Sequence, residues 1–522
     1  MKRRDGGGPA SDDAEEPNGP SVHARAELAS PDDPELGPPL PASVLVAGAL
    51  AGLRDRLARP WRAASAEWGH DATREMVRLA WPVMASQVLL NVTGLIDRMM
   101  IGRLADANAG GAAVPLAAVG YATQIFHFVQ TTLFSVGLAC VALMARSIGS
   151  GDATRARHAL AGSLQVSVAL TLVYSSALFV WSEEVLRGLG AEEGVVAIAA
   201  PYLELTVVAA MMLAFTLVFE SALRADRDTR TPMWIALVVT VSKITGNAVL
   251  IFGLFGAPRL ELWGAALATV ISQGIGLGLF LLVLAAKPRD GATAVRLRDL
   301  LERNPMTREV VRIAVPGVAE RIVLNLGLLS YFAVLSRWYG TLAVATYTVG
   351  VSLLSFSWIP GTGFAQAVST LVGQALGAGE RDAAMALGRR AVALAFTTSI
   401  PLALLFAWLR GPLSAVFTDD RTVIEALSPF MLTLAIGQPF LQIHFTLGGA
   451  HRGAGDTVTP LLSAMVGNWL IRLPIALAIA AWLEADVVWI WATLILDHIA
   501  RTTWLGLSFA RGRWRDGRGL HR

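Results

Sequence analysis

The sequence predicts an all-α membrane protein with twelve transmembrane helices in two parallel-repeat six-helix bundles. Three observations carry this reading. Of 522 residues, 54% are hydrophobic and only 16% charged, whereas a soluble chain of this length carries about a quarter charged residues. Mean hydropathy is +0.53. From Glu75 onward, apolar runs alternate with short polar breaks, and the second half of the chain repeats signatures of the first.

Roughly the first 40 residues (MKRRDGGGPASDDAEEPNGP and onward) are rich in Pro, Gly, Asp and Glu and cannot bury enough apolar surface to offset their ordering entropy. The following SVLVAGALAGLRDRLARPW has an apolar part too short to span a bilayer. It reads as an interfacial amphipathic helix held at the headgroups by Arg54, Arg56 and Arg59. Residues 1–74 are therefore expected to be a cytoplasmic tail.

A helix crossing the hydrocarbon needs about 20 residues. The apolar runs place such spans at 76–101, 114–146, 158–182, 195–222, 232–256 and 263–286 in a first bundle (75–290). A second bundle (291–510) holds 309–336, 342–375, 385–409, 424–448, 459–482 and 487–509, followed by a basic tail over 511–522. Prolines inside spans (Pro82, Pro316, Pro360, Pro439, Pro474) are tolerable because neighbouring helices can satisfy the freed backbone groups. Arginines crowd one set of loops: Arg155 and Arg157, then Arg224, Arg227 and Arg230, then the stretch 287–308. The opposite set carries acids, among them Glu183, Glu184, Glu192, Glu193, Asp419, Asp420, Glu484 and Asp486. The positive-inside bias then puts both termini in the cytoplasm. The expected location is the plasma membrane.

RLAWP (Arg78–Pro82) recurs as RIAVP (Arg312–Pro316), and RADRDTRTP (Arg224–Pro232) as RGAGDTVTP (Arg452–Pro460). Each copy has six spans and begins on the cytoplasmic side, so the copies run parallel. Transporters built from such repeats bind substrate between the halves and rock one half against the other. The only lysines are Lys2, Lys243 and Lys287, and none closes a phosphate-binding P-loop, so the chain is not its own ATP motor. The single cysteine, Cys140, excludes an internal disulfide. No nucleophile, acid–base dyad or metal-ligand spacing rises above background. The expectation is a monomeric non-enzyme without cofactor, metal or nucleic-acid partner, dealing with the lipid bilayer, a small-molecule substrate and a proton or sodium ion.

R-x-A-x-P opening the first span, LID-x-x-x-IG, ARSIGSGD, LRADRDTRTP, KITGNAVLIFG followed by WGAALATVISQ, and the closing D-x-x-x-R with GRW occur in this order over residues 75–515. In these motifs the chain resembles the multidrug and toxic compound extrusion (MATE) family. The resemblance implies a twelve-helix secondary antiporter that expels drugs or metabolites in exchange for protons or sodium. A lipid-linked precursor flippase of the same superfamily is the alternative, but it would want a strongly cationic central cavity.

The residues also speak for themselves. An ionised carboxylate at membrane depth costs on the order of 2.5–3.5 kcal/mol, so Asp97 should face water or a partner. It is either a protonatable coupling site, where the resemblance also places the family's functional aspartate, or an interfacial acid paired with Arg98 or Arg103. Gln87 and Asn91 lie on one face of the same span. Lys243 and Asn247, one turn apart, either line the same cavity as Asp97, with Lys243 as a switchable partner, or leave Lys243 to snorkel. Glu320 is a cavity residue or an interfacial acid beside Arg321. Sodium-binding members of the family carry their glutamate about one turn deeper, where this chain has Leu324, and need an acid in the tenth span, which holds only Glu425. Protons are therefore expected over sodium.

Asp497 and Arg501, four residues apart, should form a structural ion pair. A substrate wall of Gln124, His127 and Thr131, of Trp358, Gln366 and Gln374, and of Gln438, Gln442 and His444 would suit amphipathic organic cations. Each of these polar residues could equally be inter-helix glue.

Overall fold

The computed structural model describes residues 70–107, 113–288, 290–294, 299, 302, 304–416 and 420–516. The expected interfacial helix with Arg54, Arg56 and Arg59, and the last residues of the basic tail, lie outside these, as do the side chains of Arg98 and Arg103. The described residues are helical, with no strand among them. The first half contains α1 (His70–Ala107), α2 (Ala113–Gly149), α3 (Ala153–Gly188), α4 (Glu193–Ala225), α5 (Arg230–Phe252) and α6 (Glu261–Ala286). The second contains α7 (Thr307–Ser357), α8 (Ile359–Gly377), α9 (Arg381–Trp408), the short α10 (Arg410–Ala415), α11 (Arg421–Gly453), α12 (Val458–Leu483) and α13 (Val487–Arg511).

Ten described helical stretches are long and apolar enough to cross a membrane, and one of them, Thr307–Gly377, crosses twice. At Gly340 the backbone takes φ 74°, ψ −168°, a conformation open to glycine alone, and the helix breaks. The rings of Tyr331 and Tyr347 lie 5.0 Å apart. Sixteen residues of straight helix would separate them by about 24 Å, so the chain folds back at Gly340. Pro360, which has no backbone N–H to donate, stands at the start of α8 and separates it from α7. With α13 packed on α11, the chain has twelve spans among the described residues.

The breaks follow local chemistry. α5 ends four residues before its expected limit because Gly253 adopts φ 72° and caps the helix with its N–H on the Val249 carbonyl. In α12 the α-helical turns widen into π-helix over Val466–Arg472, just before Pro474. Pro474 removes a donor from the ladder there, and a wider turn is one way to accommodate the loss. Gly467 sits in that wide turn, where any Cβ would stand 2.1 Å from an Asp497 oxygen on α13.

The two halves meet at the arginine-rich end. The start of α7 (Met306, Val310, Ile313, Ala314) joins the apolar core of α2, α3, α4 and α6, while the start of α1 (Met76, Leu79, Ala80) joins that of α8, α9, α11 and α13. Helices α2 and α8 cross so closely there that a Cβ on Gly149 would fall 2.0 Å from the Gln374 carbonyl oxygen, and one on Gly377 equally close to that of Arg146. Toward the acidic end the apolar clusters are confined to one half each. A cleft between the halves therefore opens toward the acidic loops.

Candidate ion-coupling and substrate site

Helices α1 and α5 pack side by side in the first half. Thr93 Oγ1 meets Thr240 Oγ1 at 3.3 Å. One turn further along α1, Asp97 faces the next turns of α5. Its Oδ2 lies 2.5 Å from Lys243 Nζ, and its Oδ1 accepts from Asn247 Nδ2 at 2.6 Å. The helical spacing of 93 and 97, and of 240, 243 and 247, aligns these groups on the facing sides. Asn247 is fully buried, whereas the Asp97 and Lys243 side chains remain 19% and 22% exposed. Asn247 Oδ1 is a buried acceptor without a partner. The site is therefore a charged pair that water can reach, backed by an amide with one unused function. Among the described residues Lys243 is drawn inward to Asp97 and does not snorkel.

Glu320 sits elsewhere. Its carboxylate, on α7 and 8% exposed, takes Arg452 Nη2 of α11 at 2.6 Å. Its partner is thus Arg452 and not the adjacent Arg321, and the acid is neutralised within the second half. Asp497 and Arg501 pair as expected, Nε to Oδ1 at 2.7 Å, in a buried setting beside the stacked rings of His444 and His498.

The expected substrate wall divides. Gln438 and Gln442 have no exposed surface. Gln438 Nε2 donates to the Ser357 hydroxyl, and Gln442 Nε2 donates to the Ser357 carbonyl at 2.7 Å and to Gln438 Oε1 at 3.0 Å. They bind α11 to the α7–α8 junction and do not line a cavity. Gln374 is likewise a clamp at the arginine-rich end, donating to the Ala225 carbonyl at 2.8 Å, and His444 is buried. In this structure all four are turned away from open space, and the cause is rotational: each lies on the side of its helix turned to a neighbour.

The others fit better. Gln124 and His127 are exposed on α2, a helix otherwise enclosed by neighbours, and Thr131 continues the same face half-buried. Gln87, Gln366 and Trp358 are half-buried, with Trp358 edge-on to Phe445. Asn91 Nδ2 donates to the Ser355 carbonyl at 3.3 Å, reaching across the two halves.

Two arginines take places that the sequence reading did not assign: Arg321 entered it only as the neighbour of Glu320, and Arg472 not at all. Arg321 of α7 lays its guanidinium over the Phe134 ring of α2, 5.4 Å from the centroid. Arg472, in the π-helical part of α12, stacks 4.0 Å from the Tyr331 centroid and donates to Tyr347 Oη at 2.9 Å. A lone arginine in an apolar run, as in NWLIRLPIALA, is the signal that would have found Arg472.

The MatE family model matches twice, over residues 82–249 and 316–478, one copy in each half. The chain belongs to the multidrug and toxic compound extrusion (MATE) family. As a MATE protein it is similar to a probable multidrug resistance protein NorM of Thermotoga maritima, 28% identical over 444 residues that cover 84% of this chain and 93% of that one. A probable multidrug resistance protein NorM of Bradyrhizobium diazoefficiens is 31% identical over 436 residues, 80% of this chain and 88% of that one. In fold it resembles the solved MATE transporter VcmN of Vibrio cholerae, with TM-score 0.77 at 21% identity over 85% of this chain and 98% of that one. This MATE chain is thus a twelve-helix membrane transporter built from two copies of one unit.

Proposed function

We propose that this MATE protein is a proton-coupled antiporter that exports small amphipathic organic compounds from the cytoplasm across the plasma membrane by alternating access. The observation that carries the proposal is the Asp97–Lys243–Asn247 cluster. Buried Asn247 and half-buried Asp97 and Lys243 form a site of one acid, one base and one amide at membrane depth. With Asp97 ionised, Lys243 balances its charge and the Asn247 amide donates to it. A proton arriving from the open cleft neutralises Asp97, and the carboxylic O–H then needs an acceptor. Rotation of the Asn247 amide offers its oxygen, which is without a partner here. The cluster can therefore satisfy both protonation states, and they differ in whether Lys243 keeps its counter-charge. A sodium ion would have to displace the Lys243 ammonium from the same carboxylate, and so protons fit the site better.

The names of the NorM relatives support the export of organic compounds. The arginine-rich loops support a cytoplasmic location for the end at which the halves are joined. On that orientation the structure is open to the outside. In everted vesicles carrying an imposed proton gradient and no sodium, addition of a transported compound should dissipate the gradient. Transport that requires sodium and ignores the proton gradient would overturn the coupling ion.

A further inference from the structure

Six charged groups of the second half lie within the helices, and two of them stand outside any ion pair: Glu320 is taken by Arg452 and Asp497 by Arg501, while Arg321 and Arg472 have no carboxylate of their own among the described residues. Arg472 is enclosed by Tyr331 and Tyr347 and is 7% exposed. Arg321 is different. It is half-buried, on a helix of the second half, and its guanidinium touches a ring of the first half.

The geometry around Arg321 places it at the floor of the cleft. One turn before it, Gly317 packs on Ser135 of α2, where an added Cβ would meet the Ser135 Cβ at 3.3 Å, so the halves are sealed there. Arg321 stands 14 residues from the start of α7 at Thr307, about 21 Å along the axis at 1.5 Å per residue. The opposing wall is the α2 face Gln124, His127, Thr131 and Phe134, whose spacing puts all four on one side of the helix. Gln124 and His127 are exposed on that side. A guanidinium without a carboxylate at this depth would be expensive in lipid and must face water or a ligand. The only acid next to it in sequence is occupied, and the Asp97–Lys243 pair is already neutral. The cleft thus carries an unbalanced positive charge over an aromatic ring.

We propose that Arg321 anchors an acidic group of the transported compound, with Phe134 receiving its apolar body, so that the cargo is an amphipathic organic acid and not a simple organic cation. A planar guanidinium offers paired N–H donors that match a carboxylate or sulfonate, and the flanking amide and imidazole on α2 supply further hydrogen bonds. This rests on the cleft being the transport path and revises the organic-cation expectation drawn from the sequence. Apart from Glu320, which Arg452 already holds, no acid among the described residues lies against Arg321, so an organic cation meets net repulsion there.

The test uses the purified full-length protein and two probes of one scaffold, naphthalene-1-sulfonate and trimethyl(1-naphthyl)ammonium, titrated calorimetrically against an empty-micelle blank. The wild type should bind the sulfonate at least about tenfold more tightly than the ammonium, as a charge-assisted pair in a partly desolvated site would. Arg321→Gln should remove the preference, and Arg321→Lys should retain most of it. Equal binding of the two probes by the wild type, no binding of the sulfonate, or a preference that survives Arg321→Gln would each overturn the proposal. The wild-type comparison stands even if a variant fails to fold. Proton exchange in vesicles is read separately, so loss of coupling with the anion preference intact would strike the antiport reading and spare this one.

Discussion

Asp97 in the first half and Asp497 in the second each face a cation, yet their settings differ. Asp97 is about one-fifth exposed, has its lysine on another helix, and leans on an amide with an unused acceptor. Asp497 is 1% exposed, has its arginine four residues along the same helix, and presses against Gly467. On the proposed function, the same two-copy architecture holds a water-accessible coupling pair in one half and a buried structural pair in the other. A lysine can give up its proton when its surroundings change, and an arginine does not. Glu320 of the second half fits that contrast, because Arg452 already holds it.

The largest expected effect breaks the comparison on its functional side. Asp97→Asn keeps the size and the Asn247 contact but removes the titrating group, and pH-driven export should fall by about tenfold or more, the order seen when an acid–base group is deleted. Glu320→Gln should leave export within about threefold, since a carboxylate already paired to an arginine contributes its charge to structure and not to exchange. Both are measured as initial rates in everted vesicles at matched protein levels. A pair of variants with the opposite ranking would move the coupling site to the second half.

On the structural side, Asp497→Ala strands the Arg501 guanidinium in a buried site. Breaking one partner of a buried pair costs about 3–5 kcal/mol, so the variant should unfold at clearly lower temperature in detergent or fail to accumulate. Asp497→Ala combined with Arg501→Leu should recover much of that loss, because a buried pair replaced by apolar groups is close to neutral. If the single variant were as stable as the wild type, Asp497 would not be the structural acid described here.

How much of this could be read in advance depended on the range of each interaction. Twelve spans and their order follow from apolar runs and loops, which are local properties, and the repeat is visible as RLAWP against RIAVP. Asp97, Lys243 and Asn247 could be gathered because each is a polar exception in an apolar span, and exceptions at membrane depth must find one another. The facing of Gln438 and Gln442 could not, because a rotation of a few tens of degrees about α11 separates a cavity wall from a contact with Ser357. Glu320 illustrates the same limit at longer range. Its partner lies 132 residues away, while the tempting neighbour Arg321 stacks on another helix. The π-helical turns of α12 were also invisible, although Pro474 marks their place.

The smallest effect concerns a feature the two copies share. In the loop before α5, Asp228 accepts from the backbone N–H of Thr231 at 3.1 Å and from its hydroxyl at 2.8 Å. In the matching loop before α12, Asp456 accepts from Thr459 in the same two ways, at 3.0 and 2.6 Å. The copies diverge in the third partner: Asp228 has Lys287 at 3.8 Å, whereas Asp456 has buried His451 Nδ1 at 3.0 Å. Burial of Asp456 alone would raise its carboxyl pKa, but the His451 and Thr459 contacts outweigh it and hold the group below its ordinary value. A carboxyl whose folded pKa is depressed stabilises the fold fully at pH above the ordinary value of about 3.9 and loses that contribution as pH falls through the folded one. Asp456→Asn should thus destabilise by about 1 kcal/mol at neutral pH, the worth of the hydrogen bonds it weakens. The gap between variant and wild type, followed by thermal unfolding in detergent, should stay constant from pH 7 to 5 and narrow below pH 4. A gap that stays unchanged on acidification would mean that the charge of Asp456 contributes nothing and that the loop is held by the neutral hydrogen bonds alone.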